Sequence, residues 1–258
     1  MSEDGVLLEA RDVSLSFGGV KAVDQVSLSV LPGDLQAIIG PNGAGKTTLF
    51  NALTGYFMPD AGEVYFRGQR ITRVPNHARV RMGISRTFQT PSIFPELTVA
   101  ENLSIGVNSQ KSLAQRFRPL TSPERRAVDE RIDELLGFVN LGKVRGAIVS
   151  LLSHGSQRLV EIAMSLSVSP QLVMLDEPTA GLAEAETDRI LSVIRDLHSR
   201  LGLTVLFVEH NMRFVSALAD AVTVMERGRV IARGVPAQVL SDPAVREAYL
   251  GTEEVVNV

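Results

Sequence analysis

Hydrophobic residues occur in short runs separated by turns rich in glycine and proline, and this pattern predicts alternating strands and helices. Residues 7–17 and 26–30 alternate apolar and polar side chains, the first only in places, which is typical of strands with one buried face. Residues 35–39, 172–175 and 204–208 are mostly apolar, which is typical of strands buried on both faces. Shorter strands are predicted at 63–66, 84–88, 222–225 and 229–232, the last two as a hairpin.

Segments with helical periodicity lie between these strands. Residues 184–197 carry apolar side chains on one face and predict an amphipathic helix that ends near Gly202. Thr98 and Glu101 form a capping-box pattern, which predicts that a helix begins there. Further helices are predicted at 48–53 and 212–219, and after Pro236 and Pro243. This order predicts an α/β fold with a mostly parallel sheet, preceded by an antiparallel β region.

Residues 107–150 are the most charged part of the chain. Apolar residues recur there at helical spacing, at Ile132, Leu135, Leu136 and Val139. We interpret this region as a helical subdomain whose charges mostly form solvated helix faces, with an exposed stretch near 119–123.

Composition restricts the function. The chain has 26 Lys plus Arg against 29 Asp plus Glu, a net charge of −3, which argues against a general nucleic-acid binder. It contains no Cys, so disulfide and thiol chemistry are excluded. Residues 1–5 are unlike a signal peptide, and no run approaches the ~18 apolar residues of a membrane span. We therefore expect any role at a membrane to depend on a partner.

Residues 40–47 match the phosphate-binding loop pattern G-x-x-x-x-G-K-[ST] between a predicted buried strand and a predicted helix. Glycines let the backbone curl so that its N–H groups point at phosphate oxygens. Lys46 is predicted to reach the β- and γ-phosphates of a nucleoside triphosphate as a mobile charge, and the Thr47 hydroxyl to bind Mg²⁺. The predicted nucleotide-binding residues here are Gly40, Pro41, Asn42, Gly43, Ala44, Gly45, Lys46, Thr47 and Thr48.

Two adjacent carboxylates, Asp176 and Glu177, end the buried strand at 172–175. Ligands of open α/β sheets bind at the carboxyl ends of the strands, so these side chains are expected at the nucleotide. Asp176 is suited to the surroundings of Mg²⁺, and Glu177 to orienting or deprotonating the attacking water.

Together these motifs resemble the nucleotide-binding subunit of ATP-binding cassette (ABC) transporters over residues 7–250. Residues 152–158 correspond to the family's signature segment, usually LSGGQ, and residues 175–179 to its Walker B end. The resemblance implies that Gln89 is the Q-loop glutamine, acting in catalysis and on the metal, and that His210 is the catalytic switch histidine. It also implies that Phe17 stacks on adenine.

The resemblance further implies a head-to-tail dimer that holds two ATP molecules, each between the phosphate loop of one subunit and the signature segment of the other. Ser153, Gly155 and Ser156 are the expected signature contacts. A helix is predicted over residues 158–166, so its N-terminus can face the γ-phosphate.

Three positions depart from the family pattern. His154 replaces a signature glycine, and we interpret it as a tolerated side chain or a pH-sensitive closure contact. Ser156 replaces the usual Gln, which removes a possible ribose contact. Ala183 replaces the usual Asp or Asn, which is expected to weaken communication between the two ATP sites. None of these changes removes a group needed for hydrolysis.

The domain organisation implied is a single ABC ATPase domain over 1–258. Its nucleotide-binding core is expected at 7–94 and 169–240, with a helical subdomain at 95–168 and a C-terminal helix and tail at 241–258.

Within the family, the chain is similar to the ATPases of branched-chain amino-acid importers. The similar segments are residues 86–91, 94–102, 208–212 and 242–251. The partners implied are permease subunits, a second ABC ATPase and, indirectly, a substrate-binding protein, with no nucleic acid. The implied location is peripheral, on the cytoplasmic face of the plasma membrane.

Three alternatives remain open from the sequence. One is the ATPase of a lipid or lipopolysaccharide exporter. Another is a soluble, non-transport ABC protein, although such proteins usually have coiled coils or two cassettes. The third is a phosphate-loop kinase, which would lack the signature segment.

Overall fold

The structure is a computed structural model that describes residues 5–87, 93–109 and 121–250. Its strands, in chain order, are β1 (Leu8–Phe17), β2 (Val20–Val30), β3 (Leu35–Ile39), β4 (Ala61–Phe66), β5 (Gln69–Arg70), β6 (Ile84–Arg86), β7 (Leu172–Asp176), β8 (Thr204–Val208), β9 (Ala221–Glu226) and β10 (Arg229–Gly234). Its α-helices are α1 (Lys46–Thr54), α2 (Asn76–Arg81), α3 (Val99–Asn108), α4 (Ser122–Phe138), α5 (His154–Leu166), α6 (Glu184–Leu201), α7 (Met212–Leu218), α8 (Pro236–Ser241) and α9 (Pro243–Leu250). Short 3₁₀ turns occur at Gly142–Val144 and Val149–Leu151.

These strands form two sheets. The larger has the spatial order β10-β9-β3-β8-β7-β6, and all neighbours in it are parallel except β10 and β9. The smaller has the order β2-β1-β4-β5 and is antiparallel. The predicted α/β fold with a mostly parallel sheet, an antiparallel region and additional helices is confirmed.

The larger sheet is buried on both faces, as its continuous apolar strands predict. In β3, Ala37 and Ile39 pack into a core with the helices α3 to α7. Ile38 points the other way, into a core shared with α1 and the antiparallel sheet. Successive residues of a strand face opposite sides, so one five-residue strand joins both cores.

The phosphate loop follows β3, and the carboxyl ends of β7 and β8 lie beside it. Val208 of β8 is in register with Ile38 of β3 on one side and with Asp176 of β7 on the other. The sheet therefore brings three chain segments that are distant in sequence to one edge.

Several predicted boundaries were wrong. The second strand begins at Val20 rather than at residue 26, because its first half pairs with the end of β1. The strand expected at 84–88 ends at Arg86, and residue 88 lies outside the described residues.

The capping box at Thr98 is confirmed, since Thr98 Oγ1 accepts from the Glu101 amide and the Glu101 carboxylate accepts from the Thr98 amide.

In the charged region, Ile132, Leu135 and Leu136 of α4 are buried, whereas most of its charged side chains are exposed or half-buried. Of the exposed stretch predicted near 119–123, residues 119 and 120 lie outside the described residues, and residues 121–123 are exposed and include the first residues of this helix, which begins at Ser122. Among the helices of the described residues, none is long and apolar enough to cross a membrane.

Candidate nucleotide site

The phosphate loop is held in a conformation that requires glycine. Gly40 and Gly45 have φ angles of 150° and 95°, in the region that disfavours other residues. A Cβ on Gly40 would lie 2.1 Å from the carbonyl oxygen of Met225, and one on Gly45 would lie 2.0 Å from that of Ala22. The loop is therefore packed against β2 and β9, and its curled backbone can enclose phosphate groups.

Lys46 lies in this loop with only 5% of its surface exposed. Its Nζ donates to the carbonyl oxygens of Gly40 at 2.6 Å and Pro41 at 2.9 Å. The Lys46 side chain, which was predicted to be mobile, is thus held by two carbonyl oxygens of the loop. Its charge lies in the space where phosphates are expected. Thr47 is exposed and Thr48 is half-buried at the start of α1, so the Thr47 hydroxyl is accessible to a bound cation.

Asp176 ends β7 almost completely buried, and its partner is Arg86. Arg86 Nη2 lies 2.7 Å from Asp176 Oδ2, and Arg86 Nη1 contacts Asn51 Oδ1 at 2.5 Å and Thr54 Oγ1 at 3.0 Å. Burial raises the pKa of the Asp176 carboxyl, against the lowering effect of Arg86. The arginine therefore fixes the carboxylate relative to α1. The sequence singled out Arg86 only as part of a subfamily segment and did not predict this contact.

The other carboxylate oxygen of Asp176 fits a cation. Oδ1 is buried without a hydrogen-bond partner among residues 5–87, 93–109 and 121–250. No cluster of three or more His, Asp or Glu side chains suited to a metal occurs within those same ranges. Mg²⁺ is commonly held by one or two protein groups together with phosphate oxygens and water, so one buried carboxylate beside a phosphate loop suits it.

Glu177 and His210 meet at the ends of β7 and β8. His210 Nε2 lies 3.0 Å from Glu177 Oε1, and both side chains are partly exposed. Glu177 has a φ of 49°, and its backbone is held by Val208, which accepts from its amide, and by Arg158, which donates to its carbonyl oxygen at 3.0 Å. A carboxylate oriented in this way by an imidazole can act on a water molecule.

Glu209 directly follows β8, and the sequence analysis did not predict a role for it. It is 2% exposed, and its Oε1 accepts from the Thr179 amide at 2.8 Å and the Thr179 hydroxyl at 2.6 Å. Its Oε2 accepts from the amides of His210 at 2.9 Å and Asn211 at 3.2 Å. One buried carboxylate thus joins the loop that follows Glu177 to the loop that carries His210. Its only signal in the sequence is its position next to His210.

The predicted start of the helix that follows the signature segment is wrong. The helix expected from residue 158 begins at His154, because the Ser153 hydroxyl accepts from the Ser156 amide as its N-cap. Gly155 and Ser156 therefore lie in the first turn of α5 rather than before it. Gly155 donates its amide hydrogen to Glu186 Oε1 at 3.0 Å, and Ser156 Oγ accepts from Arg189 at 3.2 Å. Both partners belong to α6.

Ala183, one of the departures from the family pattern, is the N-cap of α6. It provides no side-chain hydrogen bond to that helix, whereas an Asp or Asn there could cap it.

Phe17, at the end of β1, is 48% exposed, although Val13 and Leu15 of the same strand are buried. Its ring contacts Phe57 edge-on, with 5.4 Å between centroids. Gly18 and Gly19 follow with φ angles of 53° and 87°, which confirms the predicted turn. The exposed ring is available for a planar ligand. Gln89, the remaining predicted site residue, lies outside the described residues.

A cavity of about 740 Å³ opens at the opposite edge of the larger sheet, where β7 and β8 begin. It is lined by Arg131, Phe138, Gln171 and Leu203, among others, and by none of the predicted site residues. It is therefore separate from the nucleotide site.

Comparisons with known proteins agree with this geometry. The family described as ABC transporter matches residues 23–180, and the family described as branched-chain amino acid ATP-binding cassette transporter matches residues 229–255. The chain is 38% identical over 249 residues to the high-affinity branched-chain amino acid transport ATP-binding protein LivG of Escherichia coli (strain K12), which covers 95% of this chain and 98% of LivG.

The chain is also 35% identical over 247 residues to the lipopolysaccharide export system ATP-binding protein LptB of Acidithiobacillus ferridurans, covering 96% of this chain and 98% of LptB. Among solved structures, the ADP conformation of MJ1267, an ATP-binding cassette of an ABC transporter, superposes with a TM-score of 0.85. That structure is 37% identical and covers 95% of this chain and 99% of its own.

Proposed function

This chain belongs to the ABC transporter family as an ATPase coupled to transport, and from that premise we propose that it powers an importer of branched-chain or related amino acids. The observation that carries the substrate class is the match of residues 229–255 to the branched-chain family, together with 38% identity to LivG along 95% of the chain. The chain also binds nucleotide, as the family does.

We infer that ATP lies on the phosphate loop with its adenine against Phe17. The loop backbone and Lys46 would hold the phosphates. Thr47, Asp176 and Gln89 would hold Mg²⁺, which when bound neutralises charge on the phosphates. The buried, unpartnered Oδ1 of Asp176 supports this assignment.

Glu177 is the proposed base for the attacking water, and His210 orients its carboxylate. Arg158 and Val208 hold the backbone of Glu177, so the carboxylate is positioned before the reaction begins. Gln89 is proposed to act with them. A second copy or a related ATPase would contribute Ser153, Gly155 and Ser156 to the same ATP.

The proposed partners are permease subunits, and indirectly a substrate-binding protein on the other side of the membrane. The chain would lie on the cytoplasmic face of the plasma membrane. Residues 89–101 would receive a coupling helix from the permease. We also propose the division into a core at 7–94 and 169–240 and a helical subdomain at 95–168.

Uptake of labelled leucine tests this proposal. Cells that lack the gene would be complemented with wild type, Glu177→Gln, or Glu130→Gln as a control for an exposed acid on α4. We expect uptake to fall in the deletion and to return with wild type and Glu130→Gln but not with Glu177→Gln. Normal uptake in the deletion strain would reject the amino-acid substrate while leaving the family assignment intact.

The second candidate is the ATPase of a lipopolysaccharide or lipid exporter, which the 35% identity to LptB favours. In that case the same deletion would leave leucine uptake unchanged and alter the lipid content of the outer surface of the cell.

A further inference from the structure

The signature segment is in contact with an acidic side chain of its own subunit. Gly155 in the first turn of α5 donates its amide hydrogen to Oε1 of Glu186 in the first turn of α6, at 3.0 Å. A Cβ on Gly155 would lie 2.8 Å from both Cβ and Oε1 of Glu186. Glycine at this position therefore permits the carboxylate to reach the backbone of the helix.

A second donor holds the same carboxylate. The Ser153 hydroxyl and the Gly155 amide both hydrogen-bond to Glu186, and these bonds lower the pKa of its carboxyl. The side chain is therefore an anion near neutral pH. It lies at the N-terminal end of the 13-residue helix α5, where the helix dipole stabilises negative charge.

The donors that hold Glu186 are donors that the proposed function assigns to ATP on the partner subunit, and the N-terminus of their helix is expected to face the γ-phosphate. One N–H group cannot donate fully to two anions, and a carboxylate and a phosphate at the same helix end repel each other. When ATP is enclosed between the two subunits, the Glu186 carboxylate must therefore move away from the signature segment. If it stays, its repulsion from the phosphate opposes the enclosure.

We propose that Glu186 occupies the phosphate-facing end of the signature helix until ATP displaces it, and thereby raises the ATP concentration at which two copies associate. This inference rests on the proposed function, because it requires that ATP be shared between two subunits. Glu186 would then act by occupying the donors of the signature segment, not by contacting ATP itself.

Association in a hydrolysis-deficient background tests the proposal. The Glu177→Gln protein would be titrated with ATP and Mg²⁺, and the dimer fraction measured by sedimentation or light scattering. Adding Glu186→Gln removes the charge and keeps an oxygen that can accept from Gly155. We expect the ATP concentration for half-maximal association to fall about two- to fivefold, since one charge at a helix end changes an equilibrium by about that factor.

Glu184→Gln is the matched control. Glu184 is in the same first turn of α6, but its side chain is 77% exposed and pairs with Arg213 rather than with the signature segment. It should leave the midpoint unchanged. Glu186→Asp serves as a second test variant, because the shorter acid keeps the charge but loses reach to Gly155, and it should also lower the midpoint.

The outcomes are distinct. An unchanged or higher midpoint in folded Glu186→Gln and Glu186→Asp would overturn the role of Glu186. If the Glu177→Gln parent does not associate at any ATP concentration, two copies of this chain do not share ATP, and the proposed role of Glu186 in their association fails with it. Binding of ADP to the separate subunit should be the same in all variants, because Glu186 contacts the signature segment.

Discussion

His210 Nε2 and Glu177 Oε1 lie 3.0 Å apart, at the ends of two adjacent parallel strands. Neither residue is near the other in sequence, since 33 positions separate them. The sheet sets their distance, because Asp176 and Val208, the last residues of the two strands, are in register. The pair lies at the edge of the sheet where the phosphate loop begins.

Glu177→Gln should lower the rate of ATP hydrolysis by about 100-fold or more, because the amide cannot take a proton from water. ATP affinity should stay within about twofold of wild type, because Glu177 is proposed to act on the attacking water and the loop backbone and Lys46 are proposed to hold the phosphates. Phosphate release and equilibrium ATP binding measure the two effects, with Glu130→Gln as the control. Turnover close to that of wild type would remove Glu177 from its proposed role.

Lys46→Ala should weaken nucleotide binding by about tenfold or more. The lysine provides the charged donor inside the loop, and hydrogen bonds to charged groups contribute about 1.5–3 kcal/mol. Titration with ATP measures the effect against Lys143→Ala, which removes an exposed lysine from the 3₁₀ turn at Gly142–Val144. Equal affinities in the two variants would count against the phosphate-loop assignment.

Arg86→Met should destabilise the protein by about 3 kcal/mol, because it leaves the buried carboxylate of Asp176 without its partner. Urea denaturation measures the loss in the free energy of unfolding. Arg73→Met, at an exposed arginine, is the control. Adding Asp176→Asn should recover much of the stability, since it removes the unpaired charge. An equal loss in the double variant would show that Arg86 acts mainly through Asn51 and Thr54.

Glu209→Gln should lower kcat for ATP while leaving the KM for ATP nearly unchanged. A glutamine presents N–H groups to one of the two pairs of donors, so either the amide and hydroxyl of Thr179 or the amides of His210 and Asn211 lose their acceptor. The free energy of unfolding should fall by about 2 kcal/mol. Steady-state kinetics and thermal unfolding separate the effects.

Thr179→Ser is the conservative control for Glu209, because it keeps the hydroxyl that donates to the carboxylate. It should retain most of the activity. A Glu209→Gln protein that is less stable but has an unchanged kcat would assign Glu209 to folding alone.

The sequence by itself determined the parts of the site that depend on neighbouring residues. The phosphate loop is such a part, since its glycines must adopt positive φ angles wherever the loop lies. The uninterrupted apolar strands predicted a parallel sheet buried on both faces, and the carboxylates that follow one of them marked its ligand-binding edge. The resemblance of the motifs added Phe17 and His210 to the candidate site.

Only the tertiary structure decided which distant side chains hold these groups. Arg86 reaches Asp176 across 90 positions, Glu209 reaches Thr179 across 30, and Glu186 reaches Gly155 across 31. These contacts have no period or motif in the sequence, because they arise where neighbouring strand ends and helix ends meet. The start of α5 was misplaced for a related reason: its first turn is stabilised by the Ser153 cap and by Glu186 on another helix.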